Sequence, residues 1–174
     1  APAATPAALI APAAPEGKAW TLSDFDFTQA HSDASAPRGR QVYLAAGCVQ
    51  CHRAGLEGGL IGPDLTSVAS RFSAQDLLDH ILNPSKAVDE KFRLAVLTLK
   101  DGTTVSGTLE QDEDPVVVQP GDPGAAPLEI AKAQIQERQW SDQSPMPSGL
   151  LDAFSRDQVY DLLAFLTALK PAGP

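Results

Sequence analysis

Cys48-Val49-Gln50-Cys51-His52 decides how this chain is read. Two thiols three positions apart, with a histidine directly after the second, form the attachment signature of a c-type haem. The spacing has a physical reason. Two such thiols reach both vinyl groups of one porphyrin, and the adjacent imidazole then lies over the iron. The segment therefore implies one covalent haem c, bound through Cys48 and Cys51, with His52 as an iron ligand. A zinc site would need two further ligands, and the remaining histidines, His31 and His80, are not paired at a zinc-site spacing. A thioredoxin-like redox pair would need a surrounding βαβ pattern. Here a helical pattern precedes Cys48, and a glycine-rich loop follows His52.

That helical pattern runs from Pro37 to Ala46, with Pro37 in the first turn, Val42, Tyr43 and Ala46 as an apolar stripe, and Gly47 at the end. Downstream, Gly55 to Gly62 leads into Gly62-Pro63-Asp64-Leu65. The Pro63 carbonyl is the candidate acceptor for the Nδ1 proton of His52, which would fix the ring and strengthen it as a ligand. The sixth iron position needs another donor, and Met146 is the only methionine. It sits in Ser144-Pro145-Met146-Pro147, where two prolines restrict the backbone. Met/His ligation raises the potential of electron-transfer haems. His80 falls off the centre of its helix's apolar stripe, and His31 lies among Ser32, Asp33 and Ser35, so both read as solvated. Arg71 and Trp140 are candidates for contacts to the haem propionates, as a charge and as an indole N–H donor.

Two further helices are expected. One is capped by Ser73 and Asp76, buries Leu77, Leu78 and Ile81, and stops at Asn83-Pro84. The other starts at Ser155 with Gln158, carries Val159, Leu162, Leu163, Leu166 and Leu169, and ends before Pro171. Between them the period changes to that of strands. Phe92 to Lys100 and Thr103 to Glu110 predict a hairpin around a two-residue Asp101-Gly102 turn. Val116-Val117-Val118 and Leu128-Glu129-Ile130 predict short strands. Residues 91–139 are read as a small antiparallel β insertion, within a single domain over residues 17–174. Residues 1–16, almost entirely Ala and Pro, read as a disordered tether.

At 174 residues the chain suits one domain, and a composition 43% hydrophobic and 20% charged allows a core. Fifteen prolines and thirteen glycines imply much irregular backbone. A net charge of −9 disfavours nucleic acid and anionic lipid, both of which select basic surfaces. Asp161 interrupts the apolar run from Val159 to Leu169, so no segment reads as a membrane span. The sequence begins without Met, as a processed form would, and the expected location is periplasmic or otherwise exported, with the N-terminus as a tether.

From Gly39 onward the chain resembles class I cytochrome c. The resemblance rests on Gly39 and Tyr43 before Cys48, Gly-Pro-Asp-Leu at Gly62, the Met loop, and Leu162 with Phe165. It is closest to the planctomycete-type haem-binding domain, in which a small β element separates the haem motif from the methionine. The words carrying that likeness are Gly62-Pro63-Asp64-Leu65-Thr66, Asp76-Leu77-Leu78, Asn83-Pro84-Ser85-Lys86, Asp101-Gly102 and Met146-Pro147-Ser148-Gly149-Leu150-Leu151. The resemblance implies a mainly α fold wrapped around the haem, with Gly39 and Tyr43 packed against Leu162 and Phe165 where the first and last helices cross. It also implies an exported electron-transfer domain of a kind often fused to larger dehydrogenase-like proteins.

The expected function is that of a mono-haem single-electron carrier and not an enzyme, since both axial positions are filled. Its partners would be redox proteins meeting the haem edge through a small transient interface, with a homodimer left open. A haem peroxidase or gas sensor with a labile Met146 is the alternative from the enzyme class. A docking or dimerisation module built on the β insertion, with its acidic run from Glu110 to Asp114, is the alternative from the interaction class.

Overall fold

The computed structural model describes residues 19–28, 31, 33–122 and 124–171; the tether expected over residues 1–16 lies outside them. Helices α1 (Ala36–Ala45), α2 (Cys48–Cys51), α3 (Ala74–Leu82) and α4 (Arg156–Ala168) build one layer of the molecule. Three are within a residue or so of where the sequence puts them, because their ends are written locally. Ser73 Oγ accepts the Asp76 N–H and the Asp76 carboxylate accepts the Ser73 N–H at 3.0 Å. Ser155 and Gln158 do the same for α4. Pro37 falls in the first turn of α1, and Gly47, with φ of 77°, ends it. No helix among the described residues is long and apolar enough to cross a membrane.

Helices α1 and α4 cross in direct contact, and Gly39 is the reason they can. A Cβ there would overlap the Asp161 carbonyl oxygen and lie 2.7 Å from Phe165 Cβ. Around the crossing, Tyr43 and Phe165 pack with ring centroids 5.4 Å apart. Val42, Tyr43, Leu78, Leu151, Val159 and Leu162 are the fully buried heart of this core. Asp161 is buried beside them yet satisfied: its carboxylate accepts the Ser35 N–H at 2.6 Å and two Arg38 guanidinium bonds at 2.8 Å. That carboxylate ties the start of α1 to the middle of α4. Asp161→Asn is expected to lower unfolding stability by about 2 kcal/mol, the usual worth of hydrogen bonds to a charged group. A urea titration followed by far-UV circular dichroism measures it, and an unchanged midpoint would remove this tie from the account.

The expectation of a mainly α chain needs correction. Residues 94–140 form a five-stranded antiparallel sheet: β3 (Leu94–Leu99), β4 (Thr104–Gln111), β5 (Val116–Pro120), β6 (Leu128–Ile130) and β7 (Ile135–Trp140), in the order β6-β5-β4-β3-β7. A two-stranded ribbon, β1 (Arg53–Ala54) with β2 (Glu57–Gly58), lies earlier in the chain. The larger sheet has a core of its own, with Ala95, Leu97, Val116, Val118 and Ile130 buried together. Alternation along β3 and β5 supplies those residues, one face in and one face out.

Two details differ from the sequence expectation. The β3–β4 turn holds three residues, not two: Leu99 N–H bonds to Thr103 O, Gly102 N–H bonds to Leu99 O, and Gly102 adopts φ of 87°. This is the three-residue hairpin with glycine in the left-handed region, and the Asp101 carboxylate further accepts the Thr103 N–H at 2.8 Å. Strand β7 is the second. Its run Gln136-Glu137-Arg138-Gln139 is polar because β7 is an edge strand, where charged side chains serve better than β-formers.

The topology also explains how the sheet can sit between two helical segments. Strand β7 returns to pair with β3, matching Ala95 with Trp140, and Ser141 N–H bonds to Leu94 O at 2.9 Å. The sheet is entered and left at one point. Residues just before it and just after it are therefore neighbours, which brings the end of α3 to the loop that carries Met146.

Candidate functional site

The two cysteines sit on a single helical turn, directly followed by His52; the sequence places that turn after the end of α1 without marking it as helical. Gly47, in the left-handed region, redirects the chain at the end of α1, and α2 places Cys48 and Cys51 one turn apart. Both are free thiols. His52 leaves the turn in extended conformation, with its N–H bonded to Cys48 O at 2.9 Å. The glycine-rich segment then folds back over the turn. Gly59 N–H bonds to Val49 O, Gly62 N–H to Cys51 O, and Leu65 N–H to Arg53 O.

His52 is held from two sides. Its Nδ1 lies 2.8 Å from the Pro63 carbonyl oxygen, as the sequence led one to expect. A carbonyl can only accept, so the proton sits on Nδ1 and the Nε2 lone pair is left for a metal. Burial holds the imidazole below its ordinary pKa, outweighing the opposing effect of the Pro63 bond, so the ring is neutral at pH 7. Gly62 lies flat against the ring: a Cβ there would come within 2.7 Å of Cε1. On the backbone side, buried Tyr43 donates its hydroxyl to His52 O at 2.5 Å. Burial pushes that phenol up to about 12, so it stays a donor. Neither the Tyr43 bond nor the Gly62 contact is readable in the sequence, because both depend on how α1 and the loop pack around the turn.

The thiols are neutral as well. Burial pushes Cys48 up to about 11 and raises Cys51 in the same direction. A redox-active or zinc-binding Cys-x-x-Cys needs the opposite shift, toward thiolate. Among the described residues, no group of three His, Cys, Asp or Glu side chains is placed to hold a metal ion.

Met146 is half-buried in a cleft of about 610 Å³ between the segment after α3, Leu82 to Lys86, and its own loop, Gln143 to Ser148. The Met146 N–H bonds to Ser144 Oγ at 3.1 Å, and the Ser144 N–H bonds to Ser85 Oγ at 3.0 Å. Nothing in the sequence pairs Ser85 with Ser144. The other candidates lie in different surroundings. Arg71 is exposed, with its guanidinium 5.7 Å from the Phe72 ring centroid. Trp140 closes β7, exposed, with the Arg93 guanidinium 5.9 Å from its ring centroid. His80 packs edge-on against Phe72 at 5.2 Å. His31 is stacked on Tyr160 at 3.5 Å, with Nε2 bonded to Asp26 O.

A covalently held haem fits these residues. Two uncharged thiols lie one helical turn apart, a neutral imidazole with its tautomer fixed follows them, and the glycine beside that ring keeps its face free of side chain. Residues 36–96 match the family model of cytochrome c. The match holds the Cys48–His52 turn and Pro63 and ends within β3, before Met146. A search of the curated proteins finds no match. Over the matched residues the chain is similar to cytochrome c, which supports a c-type cytochrome with covalently bound haem c, acting in electron transfer.

Proposed function

We propose that this chain is a mono-haem, single-electron carrier in which His52 and Met146 are the two axial ligands. The observation that carries the reading is the His52 ring, neutral and oriented by the Pro63 carbonyl on a turn bearing two neutral thiols. When bound, the haem supplies a one-electron couple whose potential its axial ligands help to set.

The chain's own residues then have separate tasks. Cys48 and Cys51 tether the group, so that the fold need not enclose it in a deep pocket. Pro63 fixes the His52 tautomer and raises its strength as a ligand. Met146, held between Pro145 and Pro147, keeps the remaining position from water and small molecules. A carrier with both positions filled has no place to bind a substrate, so the protein is not itself an enzyme. The five-stranded sheet is an insertion of the planctomycete type within a single domain over residues 17–174. The setting is an exported one, the periplasm, and with a net charge of −9 the fitting redox partner presents a basic surface.

Met146→Ala tests the assignment. The ferric protein should lose its far-red sulfur-to-iron band, and the potential should fall by on the order of 100 mV, within the ~0.8 V range over which axial ligands act. Ferrous protein should then bind carbon monoxide at neutral pH, which the unmodified protein should refuse. A band and potential that survive Met146→Ala, while His80→Ala alters both, would make His80 the ligand. Carbon monoxide binding by the unmodified protein would favour a gas sensor or peroxidase.

A further inference from the structure

We infer that Ser85 is a positioning residue for the methionine loop, holding Met146 in place through Ser144; this rests on the reading of Met146 as an axial ligand. The bonds form a short relay. Ser85 Oγ accepts the Ser144 N–H at 3.0 Å, and Ser144 Oγ accepts the Met146 N–H at 3.1 Å. With its own proton Ser85 faces the Gln143 side-chain oxygen, at a long 3.5 Å. The Pro145 and Pro147 nitrogens have no proton to donate, so Met146 is the only residue from Pro145 to Pro147 whose amide can anchor the loop.

The Ser85 end of the relay is itself fixed. Asp79 on α3 accepts the Asn83 side-chain amide at 2.7 Å through one oxygen and pairs with Lys86 Nζ at 2.5 Å through the other. The Lys86 N–H bonds back to Asn83 O at 3.0 Å. The turn from Asn83 to Lys86 is thus locked to the last turns of α3, whose Leu77 and Leu78 are buried in the helical core. A second fastening lies just upstream of the loop, where Ser141 N–H meets Leu94 O at the point the sheet is entered and left. Both anchors therefore lie on the chain leading into Met146, and the one at Ser85, which acts through Ser144, is the nearer to it in sequence.

If the relay holds the loop closed, removing it raises the fraction of molecules in which Met146 has swung away. An added ligand then competes more easily, since apparent affinity scales with the binding-competent fraction. Imidazole binding to the ferric holoprotein is the measurement, read with the far-red band and thermal melting by far-UV circular dichroism. Ser85→Ala should bind imidazole about tenfold tighter, equivalent to about 1.4 kcal/mol, with melting lowered by only about 3–6 °C. Ser85→Thr keeps the hydroxyl and should restore affinity close to that of the unmodified protein. Met146→Ala should bind on the order of a hundredfold tighter, because its position is open throughout.

Unchanged imidazole affinity in Ser85→Ala, beside a large gain in Met146→Ala, overturns the positioning role and leaves the axial assignment standing. Equal gains in Ser85→Thr and Ser85→Ala also overturn it, since the hydroxyl would not be the agent. No gain in Met146→Ala overturns the axial assignment itself, and the inference with it.

Discussion

A Cys48→Ser/Cys51→Ser double variant is expected to yield no haem-bearing protein from an export-competent host. The thiols sit on one helical turn and are buried enough to stay protonated, so they contribute through covalent bonds and not through charge or coordination. Without them, on the proposed ligation, the group would rest on one imidazole and one thioether. The cleft at Met146, lined by the turns 82–86 and 143–148, is open, and an open cleft encloses a large apolar ring poorly. The unmodified protein should exceed its sequence mass by one haem, and the pigment should stay with the polypeptide through acidified organic extraction. Pigment that leaves on extraction, or a double variant that matures with haem in place, would end the covalent reading.

Gly39→Ala should have a large effect on the fold although it lies outside the attachment turn. Its Cβ would overlap the Asp161 carbonyl oxygen, and that oxygen belongs to the backbone of α4, which cannot rotate away as a side chain would. Helices α1 and α4 must then separate, which loosens the Tyr43–Phe165 contact and the packing of Val42 and Leu162. Overpacking a core costs about 1–3 kcal/mol and sometimes more, and a backbone collision belongs at or above the upper end. Tyr43 also donates to the His52 carbonyl, so separation is felt at the site. Gly39→Ala is expected to melt well below the unmodified protein and to incorporate less haem. A melting curve that overlays the unmodified one would show that the crossing is not close-packed.

The helix ends were legible because a cap is a bond between residues three apart: Ser73 with Asp76 and Ser155 with Gln158 both form as the sequence implies. The β3–β4 hairpin was legible in place but not in turn length, since Asp-Gly fits two-residue and three-residue loops alike. Strand β7 was hidden because an edge strand is written in polar residues. Arg71 and Trp140 were named from residue type alone, and the structure adds their neighbours, Phe72 and Arg93.

What the sequence determined by itself is the chemistry of residues 48–52, because two thiols and an imidazole within five positions are brought together by one turn of helix whatever surrounds them. It likewise determined the caps, and it pointed to Pro63 because a ligand imidazole needs an acceptor for its second nitrogen. Only the tertiary structure decided that Gly62 lies flat on the His52 ring, that Tyr43 grips the His52 carbonyl, and that Ser85 meets Ser144 from 59 positions away. For Ser85 and Ser144 the reason is the sheet between them. Pairing β7 with β3 closes a long excursion of the chain onto its own starting point, and contacts made across such a closure have no local pattern to announce them.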